Sequence, residues 1–209
     1  PDLKMVVMSA TLAGDAVARY LGDCPLVVSQ GRLFPVSVEY APRSPHQPWP
    51  EAIARALERV IEQTPGDVLV FLPGVGEIHQ TARRLSGLVR DYGLDCVPLY
   101  GDLPADQQDA ALGAGGRRRI VLATNVAETS VTVQGVTAVV DTGQARTLTY
   151  DPAVGLDRLE LTPISQASAD QRAGRAGRLQ PGRCVRLWSA QQHAARSAHA
   201  EPEVRRVDL

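Results

Sequence analysis

Apolar positions along this chain fall into short runs that alternate with stretches of helical spacing. Residues 68–72 are an unbroken apolar run, Val-Leu-Val-Phe-Leu, the pattern of a strand covered on both faces. Residues 5–8, 26–29, 36–40, 96–100, 120–123, 138–140 and 184–188 read as further strands. Between them, 50–63 puts Ile53, Leu57, Val60 and Ile61 on one helical face, with Pro50 suited to a first turn. Residues 76–92 do the same with Ile78, Ala82, Leu85 and Val89, and 104–112 predicts a shorter helix opened by Pro104. Strands alternating with helices predict an α/β fold built on a mainly parallel sheet. Such sheets present ligand-binding loops at the carboxyl ends of their strands. The proline-rich stretch 41–50 predicts a loop, 29–35 predicts a connector, and the Ala/Gln/His/Arg-rich chain after Trp188 shows no closing element.

Composition changes this picture little. At 209 residues, 44% hydrophobic and 22% charged, the chain suits one good-sized folded domain with pieces of its neighbours. No apolar run approaches the ~20 residues that span a bilayer, so no membrane partner is expected and a cytoplasmic location is the default. The net charge of −1 gives no overall sign of nucleic-acid binding, which must then come from local clusters. Cys24, Cys96 and Cys184 are far apart and none stands in a Cys-x-x-Cys pair, which predicts buried or half-buried free thiols and no zinc site. His46, His79, His193 and His199 lack ligand spacing and read as surface residues.

Three polar segments interrupt the apolar pattern. In Gln171-Arg172-Ala173-Gly174-Arg175-Ala176-Gly177-Arg178, helical geometry places Gln171, Arg175 and Arg178 within roughly 60° of arc. Gly174 and Gly177 fall on the other side, where each costs about 1 kcal/mol against alanine, so that side is expected to pack closely on a neighbour. Converging guanidiniums suit an anion with several oxygens, and an arginine finger can stabilise charge on a γ-phosphate. A solvated basic helix with Ser168 and Gln171 as a capping box is the plainer alternative. The segment 123–132, Ala-Thr-Asn-Val-Ala-Glu-Thr-Ser-Val-Thr, follows a strand and could hold phosphate oxygens, or be an ordinary polar loop. Ser9-Ala10-Thr11 after the strand at 5–8 is, by itself, no more than a helix cap.

Taken in order, these segments resemble superfamily 2 helicases of the DEAH-box type. Ser9-Ala10-Thr11 resembles their motif III, 68–74 motif IV, 99–104 the segment after it, 123–132 motif V and 171–178 motif VI. Phe34-Pro35-Val36 and Arg186-Leu187-Trp188 resemble the bacterial HrpB branch. The resemblance covers almost the whole chain and implies a RecA-like, P-loop NTPase-type fold with a β-hairpin insertion. Residues 1–34 would be the end of a first RecA-like domain, 35–190 the second, and 191–209 the start of a following helical or winged-helix region. It implies that Arg175 and Arg178 act as arginine fingers on the γ-phosphate of ATP. Gln171 would help position the attacking water or the phosphate, and Ser130 with Thr132 would sense the nucleotide. Thr124, Asn125 and Gly74 would contact single-stranded or structured RNA, and Ser9 and Thr11 would couple ATP state to domain closure. Residues 144–165 would form the hairpin beside the RNA path, with Asp151-Pro152 and Gly155 at its turn. Leu112 stands where the family often has an adenine-stacking phenylalanine, and Gln134 where an acidic residue can bond the ribose, so both contacts should be weaker.

The sequence contains neither a Gly-x-x-x-x-Gly-Lys-Ser/Thr loop nor Asp-Glu-x-His, and its only lysine is Lys4. ATP and Mg²⁺ would accordingly be bound mainly by a first RecA-like domain that precedes this chain, and the chain alone is not expected to hydrolyse ATP. An ATP-driven RNA motor part, a non-catalytic RNA- or partner-binding module and a DNA helicase part remain open at this stage.

Overall fold

The computed structural model describes residues 4–8, 14–28, 34–113, 115–129, 131–151 and 155–201. The chain divides into two compact units, 1–32 and 33–209. In the first, helix α1 (Gly14–Tyr20) is the one regular element described. Residues 5–8 and 26–28, expected as strands, form none: a strand exists only by pairing, and these residues have no ladder partner among the described residues. Their side chains are open to solvent, with Met8 86% and Val27 90% exposed. The connector expected at 29–35 lies mostly outside the described residues.

The second unit is built on six parallel strands. In chain order its elements begin with β1 (Val36–Tyr40), α2 (Trp49–Gln63), β2 (Asp67–Phe71), α3 (Val75–Asp91), β3 (Asp95–Leu99) and α4 (Ala105–Leu112). They continue with β4 (Arg119–Ala123), the single turn α5 (Val126–Thr129), β5 (Val136–Asp141), β6 (Gln144–Asp151), β7 (Leu156–Pro163) and α6 (Gln166–Gly174). The 3₁₀ turn Arg175–Gly177, β8 (Gly182–Arg186) and α7 (Ala190–Ala194) complete the series. The sheet order is β1-β8-β5-β2-β4-β3, every pairing parallel. β2, β4 and β5 are buried at every residue, which explains why their sequences are apolar without alternation. Pro98 is accommodated because β3 is an edge strand, where one side needs no ladder donor.

Two apolar layers sandwich the sheet. Val68, Val70, Ile120, Leu122, Ala138 and Val140 face α2 and α3, meeting Ile53, Leu57, Val60, Ile78 and Leu85. Their neighbours Leu69, Phe71, Val121, Ala123, Val139 and Cys184 face the other side, against Ala111 of α4, Ala127 of α5 and Ala173 of α6. The alanines on that second side keep its helices close to the sheet.

β6 and β7 stand apart as an antiparallel pair in continuous register from Gln144↔Pro163 to Asp151↔Leu156. This is the hairpin expected at 144–165, and Gly155 at its turn has φ +67°, a conformation that favours glycine. The thiols stand as expected: all three are free, with Cys184 buried and Cys24 and Cys96 half-buried. Burial pushes the Cys184 thiol up to about 12. His193 departs from the surface role expected of it, lying half-buried against the rings of Tyr40 and Trp188. No helix among the described residues is long and apolar enough to cross a membrane.

Candidate functional site

Helix α6 begins one turn earlier than a Ser168 cap would place it. Ser165 is its N-cap, and its hydroxyl accepts from the Ser168 amide at 3.2 Å. The expected capping box of Ser168 and Gln171 is therefore replaced, since Ser168 already lies within the first turn. The α-helix stops at Gly174 and tightens into a 3₁₀ turn over Arg175–Gly177, so 171–178 is not one continuous α-helical face. The two glycines part company as well. A Cβ on Gly177 would stand 2.5 Å from the Phe34 carbonyl oxygen and 2.7 Å from Val36 Cγ2, whereas one on Gly174 would meet nothing within 4 Å. Close packing is the reason for Gly177 alone.

Arg175 and Arg178 nevertheless converge on one loop. Arg175 is buried, and its Nε donates to the Glu128 carbonyl at 2.8 Å while Nη1 donates to the Val131 carbonyl at 2.8 Å. Its Nη2 also donates to the Glu128 carbonyl. Burial, and then the nearby Arg178 cation, lower the Arg175 pKa to about 10, so the group stays charged at neutral pH. Arg178 is exposed, and its Nη1 donates to Thr132 Oγ1 at 2.6 Å. Gln171 is half-buried on α6. Ser130 lies outside the described residues, as do Ser9 and Thr11.

The other expected contacts lie at the carboxyl ends of β2 and β4. Thr124 is half-buried, its amide donating to the Leu99 carbonyl at 3.1 Å, and Asn125 is exposed at the start of α5. Gly74 is the N-cap of α3 and lies under Arg146 of the hairpin: an added Cβ would be 2.6 Å from Arg146 Nε. Arg146 in turn pairs with Glu77 in the first turn of α3 at 3.0 Å. Leu112 packs into the second apolar layer, and its carbonyl accepts from the Gln134 amide at 3.1 Å.

The residue that ties these parts together is Arg172, which the sequence pattern passed over. It is 1% exposed. Its Nε donates to Glu128 Oε2 at 2.9 Å and its Nη1 to Asp141 Oδ1 at 3.0 Å, with a further bond to the Gln144 carbonyl at 3.3 Å. The guanidinium also lies 4.7 Å above the Phe71 ring. Burial works against its charge, but Asp141 and Glu128 outweigh this and hold its pKa above the ordinary arginine value. Asp141 Oδ1 accepts from the Gly143 amide as well, at 2.8 Å. One guanidinium thus joins α6, α5, the end of β5 and the root of the hairpin. The available signal was periodicity: Arg172 sits three and four residues from Ala169 and Ala176, both buried, and so belongs to the apolar stripe of the helix.

A parallel six-stranded sheet with helices on both faces and a small antiparallel hairpin define a RecA-like domain. The helicase conserved C-terminal domain family matches residues 52–180. The chain belongs to that family. It is 46% identical over 210 residues to the ATP-dependent RNA helicase HrpB of Escherichia coli K12, covering 100% of this chain and 26% of that protein. It is 38% identical over 214 residues to HrpA of the same organism, and 39% over 225 residues to the probable ATP-dependent RNA helicase DHX34 of Mus musculus. All of this chain is covered in both, against 16% of HrpA and 20% of DHX34. A crystal structure of the E. coli DEAH/RHA helicase HrpB superposes with a TM-score of 0.90 at 43% identity, covering 100% of this chain and 27% of that one. A second, described as the DExH-box NTPase HrpB, gives 0.88 at the same 43% identity. The chain therefore spans about a quarter or less of the length of these relatives.

Proposed function

We propose that this domain is the second motor lobe of an ATP-dependent RNA helicase, supplying arginines to the γ-phosphate of ATP and backbone contacts to RNA. The observation that carries the proposal is the convergence of Arg175 and Arg178 on Glu128, Val131 and Thr132. A loop that follows β4, whose first residues would hold RNA, is thereby tied directly to the side chains that would meet the nucleotide. The two arginines have different roles in this arrangement. Arg178, exposed and bonded to a hydroxyl, is the more available finger. Arg175 is the more firmly held, and engages phosphate only by leaving the carbonyls of Glu128 and Val131. Gln171 lies on the same helix and would orient the attacking water, with Ser130 and Thr132 as nucleotide sensors. Ser9 and Thr11 would link the nucleotide state to closure of the two lobes.

ATP and Mg²⁺ would be held mainly by a first RecA-like lobe, whose phosphate loop supplies the charge neutralisation for hydrolysis. Thr124, Asn125 and Gly74 lie at adjacent strand ends, β4 and β2, where a strand of RNA could run along the carboxyl edge of the sheet. Arg146, over Gly74 and paired with Glu77, stands at that edge. The family resemblance supports RNA over DNA, and the three relatives are all described as RNA helicases. The test is steady-state ATP hydrolysis by the full-length protein with and without single-stranded RNA or DNA. Stimulation by RNA well beyond that by DNA is expected. An enzyme that RNA does not stimulate, or that prefers DNA, contradicts the proposal.

A further inference from the structure

The hairpin is joined to the sheet at its root, and the root is closed by a residue from the far end of the chain. Gly143 precedes β6 and Ile164 follows β7, and the Ile164 amide donates to the Gly143 carbonyl at 3.1 Å. Arg196 Nη1 donates to both of these carbonyls, to Gly143 at 2.9 Å and to Ile164 at 2.8 Å. One cationic donor thus bridges the two strands where they leave the sheet. The guanidinium is fixed from its other side by Trp188, whose ring centroid is 4.4 Å away. Gly143 makes the approach possible: with φ +70°, an added Cβ would stand 2.5 Å from Arg196 Nη2 and 2.6 Å from the Trp188 ring.

The same segment grips the start of α6. The Gln166 and Ala167 amides, two of the unpaired donors at that helix end, donate to the Ser197 and Ala198 carbonyls at 2.9 and 3.0 Å. The Gln166 side chain donates to the Arg196 carbonyl at 3.0 Å. Residues 194–198 therefore hold the hairpin root with a side chain and the arginine-bearing helix with their backbone.

We infer that Arg196 is a positioning residue: it locks the hairpin root to the N-terminal end of α6, so that displacement of α6 by nucleotide is passed to the hairpin. The inference rests on the motor function proposed above for the meaning of that displacement, but the clamp itself can be tested without it. In the full-length protein, Arg196→Ala should raise amide exchange at Ile164 by about tenfold and leave the amides of β2 and β4 unchanged. RNA-stimulated ATP hydrolysis should stay within about twofold, while duplex unwound per ATP hydrolysed falls about fivefold. Arg196→Lys keeps the cation but not the flat stacking group, and should recover part of the unwinding; it serves also if the alanine variant fails to fold. Unchanged exchange at Ile164 in both variants would overturn the clamp. Loss of hydrolysis and unwinding in equal proportion would overturn the coupling role. A parent protein that unwinds no RNA would sink the motor proposal instead, with amide exchange still deciding on the clamp.

Discussion

Replacing Arg172 by methionine leaves the carboxylates of Glu128 and Asp141 facing an apolar side chain, with Asp141 fully buried. Removing one partner of such a buried set is expected to cost about 3–5 kcal/mol. Urea denaturation of the 209-residue chain measures it, and a loss below about 1 kcal/mol would show that the ion network carries little. By contrast, Arg178→Ala should leave stability within about 0.5 kcal/mol, because its pairing with Thr132 is on the surface. The residues that sequence reading singled out, Arg175 and Arg178, do meet one loop, because helical spacing constrains direction even where the helix tightens. Arg172 was missed because an arginine in a polar string reads as solvated. Its carboxylate partners lie 44 and 31 residues away, beyond the reach of local pattern.

Among the elements, the glycines at the end of α6 give a paired test. Gly177→Ala should destabilise the domain by about 1–3 kcal/mol, the ordinary cost of overpacking, since its Cβ would press on the Phe34 carbonyl and Val36. Gly174→Ala meets open space and should be neutral or stabilising by up to about 1 kcal/mol. Equal effects in thermal melts would contradict the packing assigned to Gly177. α7 offers a pH test. Burial, then the cation of Arg186, lower the pKa of His193, whose Nε2 lies 3.2 Å from Arg186 Nη1. A depressed histidine means the unfolded chain binds the proton more readily. The His193 contribution is thus present above the unfolded value near 6.5 and is lost as pH falls through the lower folded value. His193→Gln should flatten the acid side of the stability profile in that window, and an unchanged slope would contradict the assignment. Central strands and long helices were legible because double-sided burial and helical periodicity leave direct marks. Residues 5–8 and 26–28 carry the apolar mark of strands, but composition cannot supply the neighbours that make one. α7 left no hydrophobic period in the sequence, since none of its residues is buried.

For the molecule as a whole, the proposed function makes the site half of a larger one. The sequence holds the arginines and the polar loop but no phosphate-binding lysine loop, so the 209-residue chain alone should show no RNA-stimulated ATP hydrolysis. Robust turnover by purified chain would mean that nucleotide is bound in a way these residues do not suggest. The RecA-like class was legible from strand–helix alternation and from motif order together. The hairpin was legible only through family resemblance, since its exposed strands, with Leu156 and Leu159 each 63% exposed, lack a burial pattern of their own. The most direct measurement is single-turnover ATP hydrolysis by the full-length protein carrying Arg178→Ala, with nucleotide affinity measured alongside. Hydrolysis should fall by about 10³–10⁵ while ATP still binds. A variant that hydrolyses ATP at the parental rate would contradict the assignment of Arg178 to the γ-phosphate.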